Sequence, residues 1–186
     1  MNFLNLDYDL FNTIHSLSGQ SRLLDFFGIF CAKYLIFVIG GIVLGWWLEL
    51  HKTKPTFAWP IEGKKKWLIF GNFSMAALTA FFLNYVLGFL KFRERPYINL
   101  KVARLVNPMS EKSFPSDHAA VAFALALTVF FRNKKVGAVL LLLALLVGWG
   151  RIYTGVHYPI DVVGGILVGL AAAALMRWVV FRKARE

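Results

Sequence analysis

Long apolar runs alternate with short polar stretches along this chain. The apolar runs cover residues 34–50, 67–90, 119–131, 136–149 and 162–180. A helix needs about 20 residues to cross the hydrocarbon core of a bilayer. The second and fifth runs reach that length alone, and the others reach it with flanking residues, back to Ser116 or forward to about Tyr153. The pattern therefore predicts an all-α, polytopic membrane helix bundle of about five spanning helices.

A further helix is predicted before the first span. Its apolar residues recur every three or four positions, at Leu6, Leu10, Phe11, Ile14 and Leu17. This spacing is typical of an amphipathic helix that lies on the membrane surface. Because Asp7 and Asp9 stand where a signal peptide carries basic residues, and no small-residue cleavage pattern follows, we do not expect a removable signal peptide here.

Composition supports a single membrane domain over residues 1–186. Hydrophobic residues make up 58% of the chain and charged residues 17%, whereas soluble proteins carry about 25% charged residues. The net charge of +11 comes mostly from basic residues at the ends of the apolar runs, where they suit lipid head groups. We therefore expect the lipid bilayer as partner and no nucleic acid. The single cysteine, Cys31, forms no internal disulfide and lacks the neighbours of a metal site.

The distribution of basic residues predicts the orientation in the membrane. Five spans place twelve lysines and arginines on one side and eight on the other. Since loops rich in lysine and arginine stay in the cytoplasm, the side with twelve is predicted to be cytoplasmic. Residues 91–118 and 150–161 then share the opposite, extracytoplasmic side, which brings three ionisable stretches to one end of the bundle.

One of these stretches is PSDH, directly before the third span. Ser116 is a suitable N-cap, and the unpaired N–H groups of a first helical turn favour phosphate. His118 lies in that turn and can donate a proton near neutral pH. Taken alone, the stretch also fits a capped helix with an interfacial histidine.

The second stretch, GRIYTGVHYPID, precedes the last span. Pro159 suits the first turn of that helix, so His157 lies just before it and Asp161 can reach back to the imidazole. A carboxylate on one ring nitrogen fixes the tautomer and makes the other nitrogen more nucleophilic. Arg151 offers a planar fork for phosphate oxygens. An ordinary polar turn is the alternative, although ionisable residues at membrane depth are usually functional.

The third stretch, KFRERPYIN, places Arg95 beside Pro96, which is expected to end the second span. Lys91 and Arg93 lie at the same helix end, where snorkelling and compensation of the helix dipole offer another explanation. Together the three stretches supply two histidines, a carboxylate and guanidinium groups. This set suits displacement of a phosphoryl group without a metal or other cofactor, since no Asp/Glu cluster of the metal-binding type accompanies it.

The order RP … PSxH … R-x5-H-x3-D over residues 67–180 resembles the type 2 phosphatidic acid phosphatase (PAP2) superfamily. That superfamily also includes bacterial lipid phosphatases and vanadium haloperoxidases. The resemblance implies a role for each matching residue. Arg95, Arg151 and Ser116 would bind the phosphate, and His118 would protonate the leaving group. His157 would form a phosphohistidine intermediate, and Asp161 would orient it.

Three positions depart from the usual motifs of that superfamily. Gly88 stands seven residues before Arg95, where K-x6-R-P has its lysine, and Lys91 is the expected substitute one helical turn later. Asp117 replaces the glycine of P-S-G-H, a change that resembles bacterial undecaprenyl-diphosphatases of the superfamily. Gly150 replaces the serine of S-R-x5-H-x3-D.

The resemblance implies a phosphatase in the inner (cytoplasmic) membrane of a bacterium, with its active site facing the periplasm or exterior. Members of the superfamily act on phosphatidate, phosphatidylglycerol phosphate, undecaprenyl diphosphate or the 1-phosphate of lipid A. Short loops and the PSDH variant favour undecaprenyl diphosphate, with lipid A 1-phosphate next. The non-enzymatic alternative is a lipid transporter or flippase, which would place ionisable residues in the middle of spans.

Overall fold

The computed structural model describes residues 3–52, 66–90, 93–108 and 111–183, and the regular elements among them are all helical. The helices are α1 (Phe3–His15), α2 (Arg22–Ile29), α3 (Leu35–Lys52), α4 (Lys66–Leu90), α5 (Pro96–Asn99), α6 (Asp117–Phe130), α7 (Lys134–Tyr153) and α8 (Pro159–Lys183). A π-helical turn, Phe30–Tyr34, joins α2 to α3 without a break. The predicted all-α membrane bundle is confirmed.

Four helical segments of the described residues are long and apolar enough to cross a membrane. They are Arg22–Glu49, Gly71–Leu90, Lys134–Tyr153 and Pro159–Val179. The first is longer than the predicted run at 34–50, because α2 and the π-turn extend it toward the N-terminus. The third predicted run forms α6, which has 14 residues and is therefore only about 21 Å long.

The short helix α6 lies at the centre of the bundle, against α3, α4, α7 and α8. Small side chains let it approach α8 closely. A Cβ on Gly165 would lie 2.5 Å from the carbonyl oxygen of Ser116, and one on Gly169 would lie 2.6 Å from that of Ala120. Such close contacts between small residues are a common way to pack helices in membranes. They fix the start of α6 against the start of α8.

Apolar side chains cover the outside of the bundle. Large hydrophobic residues are exposed on several of the long helices, among them Phe81, Phe82, Leu142, Leu167 and Trp178. A soluble protein rarely exposes apolar surface this extensively, whereas lipid tails solvate it well. The molecule is a multi-pass membrane protein.

The N-terminal helix α1 packs against α7 and α8. Phe11 is fully buried, whereas Leu6 and Leu10 are exposed. Part of the predicted apolar stripe therefore packs against the protein, and part faces outward. The buried face also carries Asp7, which is 5% exposed. A carboxylate is buried only where partners compensate for its lost hydration, and those partners belong to the site described below.

The expectation for Pro96 was wrong. The second span ends at Leu90, and Pro96 begins the separate short helix α5, with Arg95 as its N-cap in extended conformation. Proline fits the first position of a helix because that N–H group needs no partner there. The extended backbone at Arg95 allows its side chain to turn into the bundle.

Candidate active site

Four helix ends meet at one end of the bundle. Helices α6 and α8 begin there, and α4 and α7 end there. The predicted residues Arg95, Ser116, Arg151, His157 and Asp161 are all buried in this region. Three stretches that are far apart in the sequence are thus brought together. The hydrogen-bond donors of these three stretches are mostly cationic or imidazole groups, which favour the binding of an anion.

The ring of His157 is buried between Arg95 and Asp161. Nη1 of Arg95 lies 3.0 Å from Nε2 of His157 and donates to the carbonyl oxygen of Val156 at 2.8 Å. Arginine can only donate, so Nε2 must be the unprotonated nitrogen, and its lone pair accepts this hydrogen bond. The proton of the neutral ring is therefore assigned to Nδ1.

Asp161 lies on the other side of that ring. Its Oδ2 is 3.6 Å from Nδ1 of His157, slightly beyond hydrogen-bond distance. The carboxylate accepts from Oγ of Ser113 at 2.5 Å, from the backbone N–H of Tyr158 at 2.8 Å and from Arg93 at 3.2 Å. These bonds hold an otherwise costly buried charge in place. Asp161 can thus face the Nδ1 proton in a fixed orientation.

Arg151 extends from the last turn of α7 and is buried. Its Nη1 donates to the carbonyl oxygen of Ala32 at 3.2 Å, in the π-helical turn between α2 and α3. Its Nε has no hydrogen-bond partner within the described residues. A buried guanidinium N–H without a partner is costly, so this donor is available to an anionic ligand.

Ser116 is the N-cap of α6, as expected, but its side chain does not cap the helix. Its backbone N–H donates to the carbonyl oxygen of Asp161 at 2.9 Å. Its Oγ is buried and has no partner in the described part of the chain. A hydroxyl in this state can donate to a phosphate oxygen next to the first turn of α6, where N–H groups favour negative charge.

His118 is the second residue of α6 and lies within electrostatic range of both Arg95 and Arg151. His157 is in turn within electrostatic range of His118. The two imidazoles therefore adjoin the same cationic region. An anion bound there would lie between a candidate nucleophile and a candidate proton donor.

Burial and neighbouring charge both act on the ring of His157, which lies in the loop between α7 and α8. Burial lowers the pKa of His157 well below its ordinary value of 6.5, and the nearby Arg95 and Arg151 lower it further. Burial also lowers the pKa of Arg95. The imidazole is therefore neutral near pH 7, as a nitrogen nucleophile must be.

A lysine other than the expected one occupies the space beside Gly88. A Cβ at that position would lie 2.6 Å from Nζ and 2.7 Å from Cε of Lys112. The amino group donates to the carbonyl oxygen of Asn84 at 3.2 Å and to Asp117 at 3.3 Å. Lys91 lies outside the described residues, so its suggested role remains a prediction.

Residues 67–185 match the family model described as the PAP2 superfamily. That match covers well over half of the chain. The chain belongs to the PAP2 superfamily.

Similar proteins agree with this PAP2 membership. The chain is 33% identical over 165 residues to the undecaprenyl-diphosphatase BcrC of Bacillus subtilis, covering 89% of this chain and 79% of that protein. It is 30% identical to the bacitracin transport permease protein BcrC of Bacillus licheniformis, over 96% of this chain and 82% of that one. The crystal structure of Aquifex aeolicus LpxE aligns with a TM-score of 0.69 at 28% identity, covering 92% of this chain and 94% of that chain. The protein is a PAP2 phosphatase.

The structure accounts for one departure from the PAP2 motifs. A Cβ on Gly150 would lie 2.7 Å from the backbone nitrogen of Ala32 and 2.8 Å from Cβ of Cys31. The π-turn therefore packs directly on Gly150, and the serine of the usual motif has no room. The same close contact brings the carbonyl of Ala32 within reach of Arg151.

Asp117, the second departure, faces α4. Its Oδ1 accepts from Nδ2 of Asn84 at 2.5 Å as well as from Lys112. Asn84 is fully buried and also donates to the carbonyl oxygen of Pro115 at 3.0 Å. The carboxylate thus joins the start of α6 to the end of α4.

The sequence did not reveal several residues of this region. Arg93 was assigned to a helix end, yet it forms ion pairs with Asp7 at 2.7 Å and with Asp161 at 3.2 Å. Its position two residues before Arg95 was a usable signal. Ser113, close to PSDH, was another. The carbonyl of Ala32, which accepts from Arg151, could not be found from the sequence, because every residue carries a backbone carbonyl.

Proposed function

We propose that this phosphatase transfers the terminal phosphate of a membrane lipid first to His157 and then to water. The observation that carries the proposal is the placement of His157. Its Nε2 accepts from Arg95 at 3.0 Å while Asp161 faces the opposite ring nitrogen at 3.6 Å. The nucleophilic lone pair thus points to the phosphate-binding cations.

In the first step, Nε2 of His157 attacks the terminal phosphorus. An N–P bond forms as the bond between phosphorus and the leaving oxygen breaks. His118, which takes up a proton when the anionic phosphate binds beside it, gives that proton to the leaving oxygen, and the remaining lipid leaves. Asp161 stabilises the positive charge that develops on the ring of His157, since it faces the Nδ1 proton.

In the second step, His118 is neutral and accepts a proton from water. The water oxygen bonds to phosphorus, the N–P bond breaks, and its electron pair returns to Nε2. Inorganic phosphate leaves, and both histidines recover their starting protonation states. Reversal of the acid and base roles of one residue between two steps is usual in such double displacements.

Positive charge around the site replaces a metal in this proposal. Arg95, Arg151 and the Oγ of Ser116 bind the non-bridging oxygens, and the first turn of α6 adds its N–H groups. Stabilisation of charge by such fixed donors is commonly the largest contribution to phosphoryl transfer. The reaction then needs neither a divalent ion nor another cofactor.

Undecaprenyl diphosphate is the proposed substrate. The relative from Bacillus subtilis named undecaprenyl-diphosphatase supports this choice, as does the Asp117 variant of the second motif. The alternatives are the 1-phosphate of lipid A, phosphatidylglycerol phosphate and phosphatidate. Each of them presents a phosphate on a lipid anchor, so the same cationic pocket would accept them in part.

The site is proposed to open on the extracytoplasmic side of a bacterial inner membrane, as the distribution of basic residues predicts. We further propose that the lipid enters laterally, with its tail in the bilayer and its head group passing between helices. Hydrolysis of a short-chain soluble phosphate at the same rate as the lipid would contradict lateral entry.

One observation speaks against a lipid transporter, the alternative function. Transport also appears in the name of the relative from Bacillus licheniformis, a bacitracin transport permease protein. Arg151 lies in the last turn of α7, and Asp161 lies in the first turn of α8. A transport relay is typically built near the middle of the membrane. These residues lie instead at helix ends, beside the site for phosphate.

Phosphate release by the purified protein tests the proposal directly. Undecaprenyl diphosphate, lipid A 1-phosphate, phosphatidylglycerol phosphate and phosphatidate would be compared in the same detergent, with and without EDTA. We expect the highest kcat/KM for undecaprenyl diphosphate, no loss in EDTA and no turnover by His157→Ala. Preference for another lipid would overturn the substrate assignment alone. Loss in EDTA that a divalent ion restores would overturn the metal-free reaction.

A further inference from the structure

The N-terminal helix contacts the catalytic region through one buried carboxylate. Asp7 accepts from Nη2 of Arg93 at 2.7 Å and from the backbone N–H of Ile160 at 2.9 Å. Its side chain is 4% exposed. Helix α1 also lies outside residues 67–185, which match the PAP2 family model. No motif of the superfamily accounts for this contact.

Arg93 connects Asp7 to the site. Its Nη1 donates to Oδ1 of Asp161 at 3.2 Å while its Nη2 bonds Asp7. The guanidinium carbon also lies 3.8 Å from the centre of the Tyr158 ring, which fixes its plane. A single arginine thus bridges two carboxylates, of which Asp161 is fully buried.

We propose that Asp7 is a positioning residue for catalysis that acts through Arg93 on Asp161. This inference rests on the proposed function, because it takes Asp161 as the partner of His157. By sharing the charge of Arg93, Asp7 leaves the carboxylate of Asp161 free to stabilise the ring. Without Asp7, Arg93 pairs with Asp161 alone, draws it from Nδ1 of His157 and neutralises it.

The proposal predicts an effect on turnover and little effect on binding. The hydrogen bonds of Asp7 described above go to Arg93 and to the backbone of Ile160, whereas the proposed phosphate-binding residues are Arg95, Arg151 and Ser116. Loss of the Asp7 charge should therefore lower kcat with KM nearly unchanged, as when an interaction made only in the transition state is removed. We expect kcat to fall about tenfold, a common size for coupling between charged neighbours.

The variants Asp7→Asn, Arg93→Gln and the double variant form the test. Asparagine keeps an oxygen for the N–H of Ile160 and removes only the charge. Asp9→Asn is the matched control, because Asp9 lies on the same helix and is exposed. The kcat and KM of each variant would be measured on the best substrate among the same lipids, with His157→Ala as a further control.

If Asp7 acts through Arg93, Asp7→Asn lowers kcat in the wild-type background and has little effect in the Arg93→Gln background. Equal loss in both backgrounds would show that Asp7 only anchors α1, and the inference would be wrong. Wild-type kcat for Asp7→Asn, like that of Asp9→Asn, would also overturn it. Normal turnover by His157→Ala would instead refute the proposed function, and the inference with it.

Discussion

Arg95 binds the carbonyl oxygen of Val156, the residue directly before His157, and the ring of His157 with the same nitrogen. Arg95, the proposed phosphate-binding group, and His157, the proposed nucleophile, are therefore held together in one unit. A phosphate that binds Arg95 would lie next to Nε2 of His157, and the Arg95 N–H that bonds Nε2 would turn to a phosphate oxygen and free the lone pair for attack. Such preorganisation lowers the barrier to group transfer.

Arg95→Lys should lower kcat/KM by about 100-fold or more, the range found when a donor to transition-state charge is removed. Lysine carries a point charge on a flexible stem and cannot bind the carbonyl of Val156 and a phosphate in a fixed plane. The kinetics of phosphate release measure the effect. Arg104→Lys, at an exposed position, is the control, and equal activity of the two variants would contradict the role of Arg95.

Gly150→Ala should destabilise the protein by about 1–3 kcal/mol, the usual cost of overpacking. The added methyl group would approach the backbone of the π-turn at Ala32 to 2.7 Å, and backbone cannot move aside cheaply. Thermal unfolding in detergent measures the change. Gly45→Ala is the control, since no atom lies within 4 Å of a Cβ there. Equal melting temperatures for both variants would show that the π-turn can shift.

Lys112→Ala should lower kcat/KM about tenfold, the effect of one charge-assisted hydrogen bond. Without this cation, the carboxylate of Asp117 would repel an incoming phosphate, because Asp117 lies within electrostatic range of Arg95 and Arg151. The comparison is with Lys101→Ala, an exposed lysine of the same connection. A Lys112→Ala protein as active as Lys101→Ala would assign Lys112 to packing beside Gly88.

The ring of His157 should remain neutral below pH 6.5. Burial and the adjacent arginines lower its pKa in the folded protein below the ordinary value of 6.5. The unfolded chain therefore binds a proton at this histidine more readily than the folded protein does. As pH falls below 6.5, this difference lowers the free energy of unfolding. Titration of ¹⁵N-labelled histidines by NMR, with His157→Gln for assignment, measures this directly. Protonation of the folded ring at or above pH 6.5 would contradict the structure.

Much of the fold could be predicted from hydrophobicity because the bilayer restricts what can cross it. The second, fourth and fifth runs became α4, α7 and α8. Helix α6 is shorter than a lone span needs, and other helices surround it. The π-turn could not be predicted, since it depends on the fit of Gly150 against Ala32, which are far apart in sequence.

The residues of the candidate site could likewise be predicted only in part. His157 and Asp161 could be paired from the sequence because a helix start brings residues four apart onto one side. Arg95 and Ser116 followed from motifs and from their shared end of the bundle. The bridge from Asp7 through Arg93 could not be predicted, because the orientation of α1 is set by tertiary packing of Phe11 and Tyr158.

Capture of the covalent intermediate tests the central proposal most directly. The purified protein would be mixed with undecaprenyl diphosphate labelled at its terminal phosphate and quenched within one turnover. We predict label on the protein that is stable to alkali and lost in acid, as for phosphohistidine, and mapped to His157. In His118→Ala the label should form more slowly and, once formed, persist longer than in the wild type, because both the acid of the first step and the base of the second are lost. Absence of label in both proteins, or the same label in His157→Ala, would contradict the proposed mechanism.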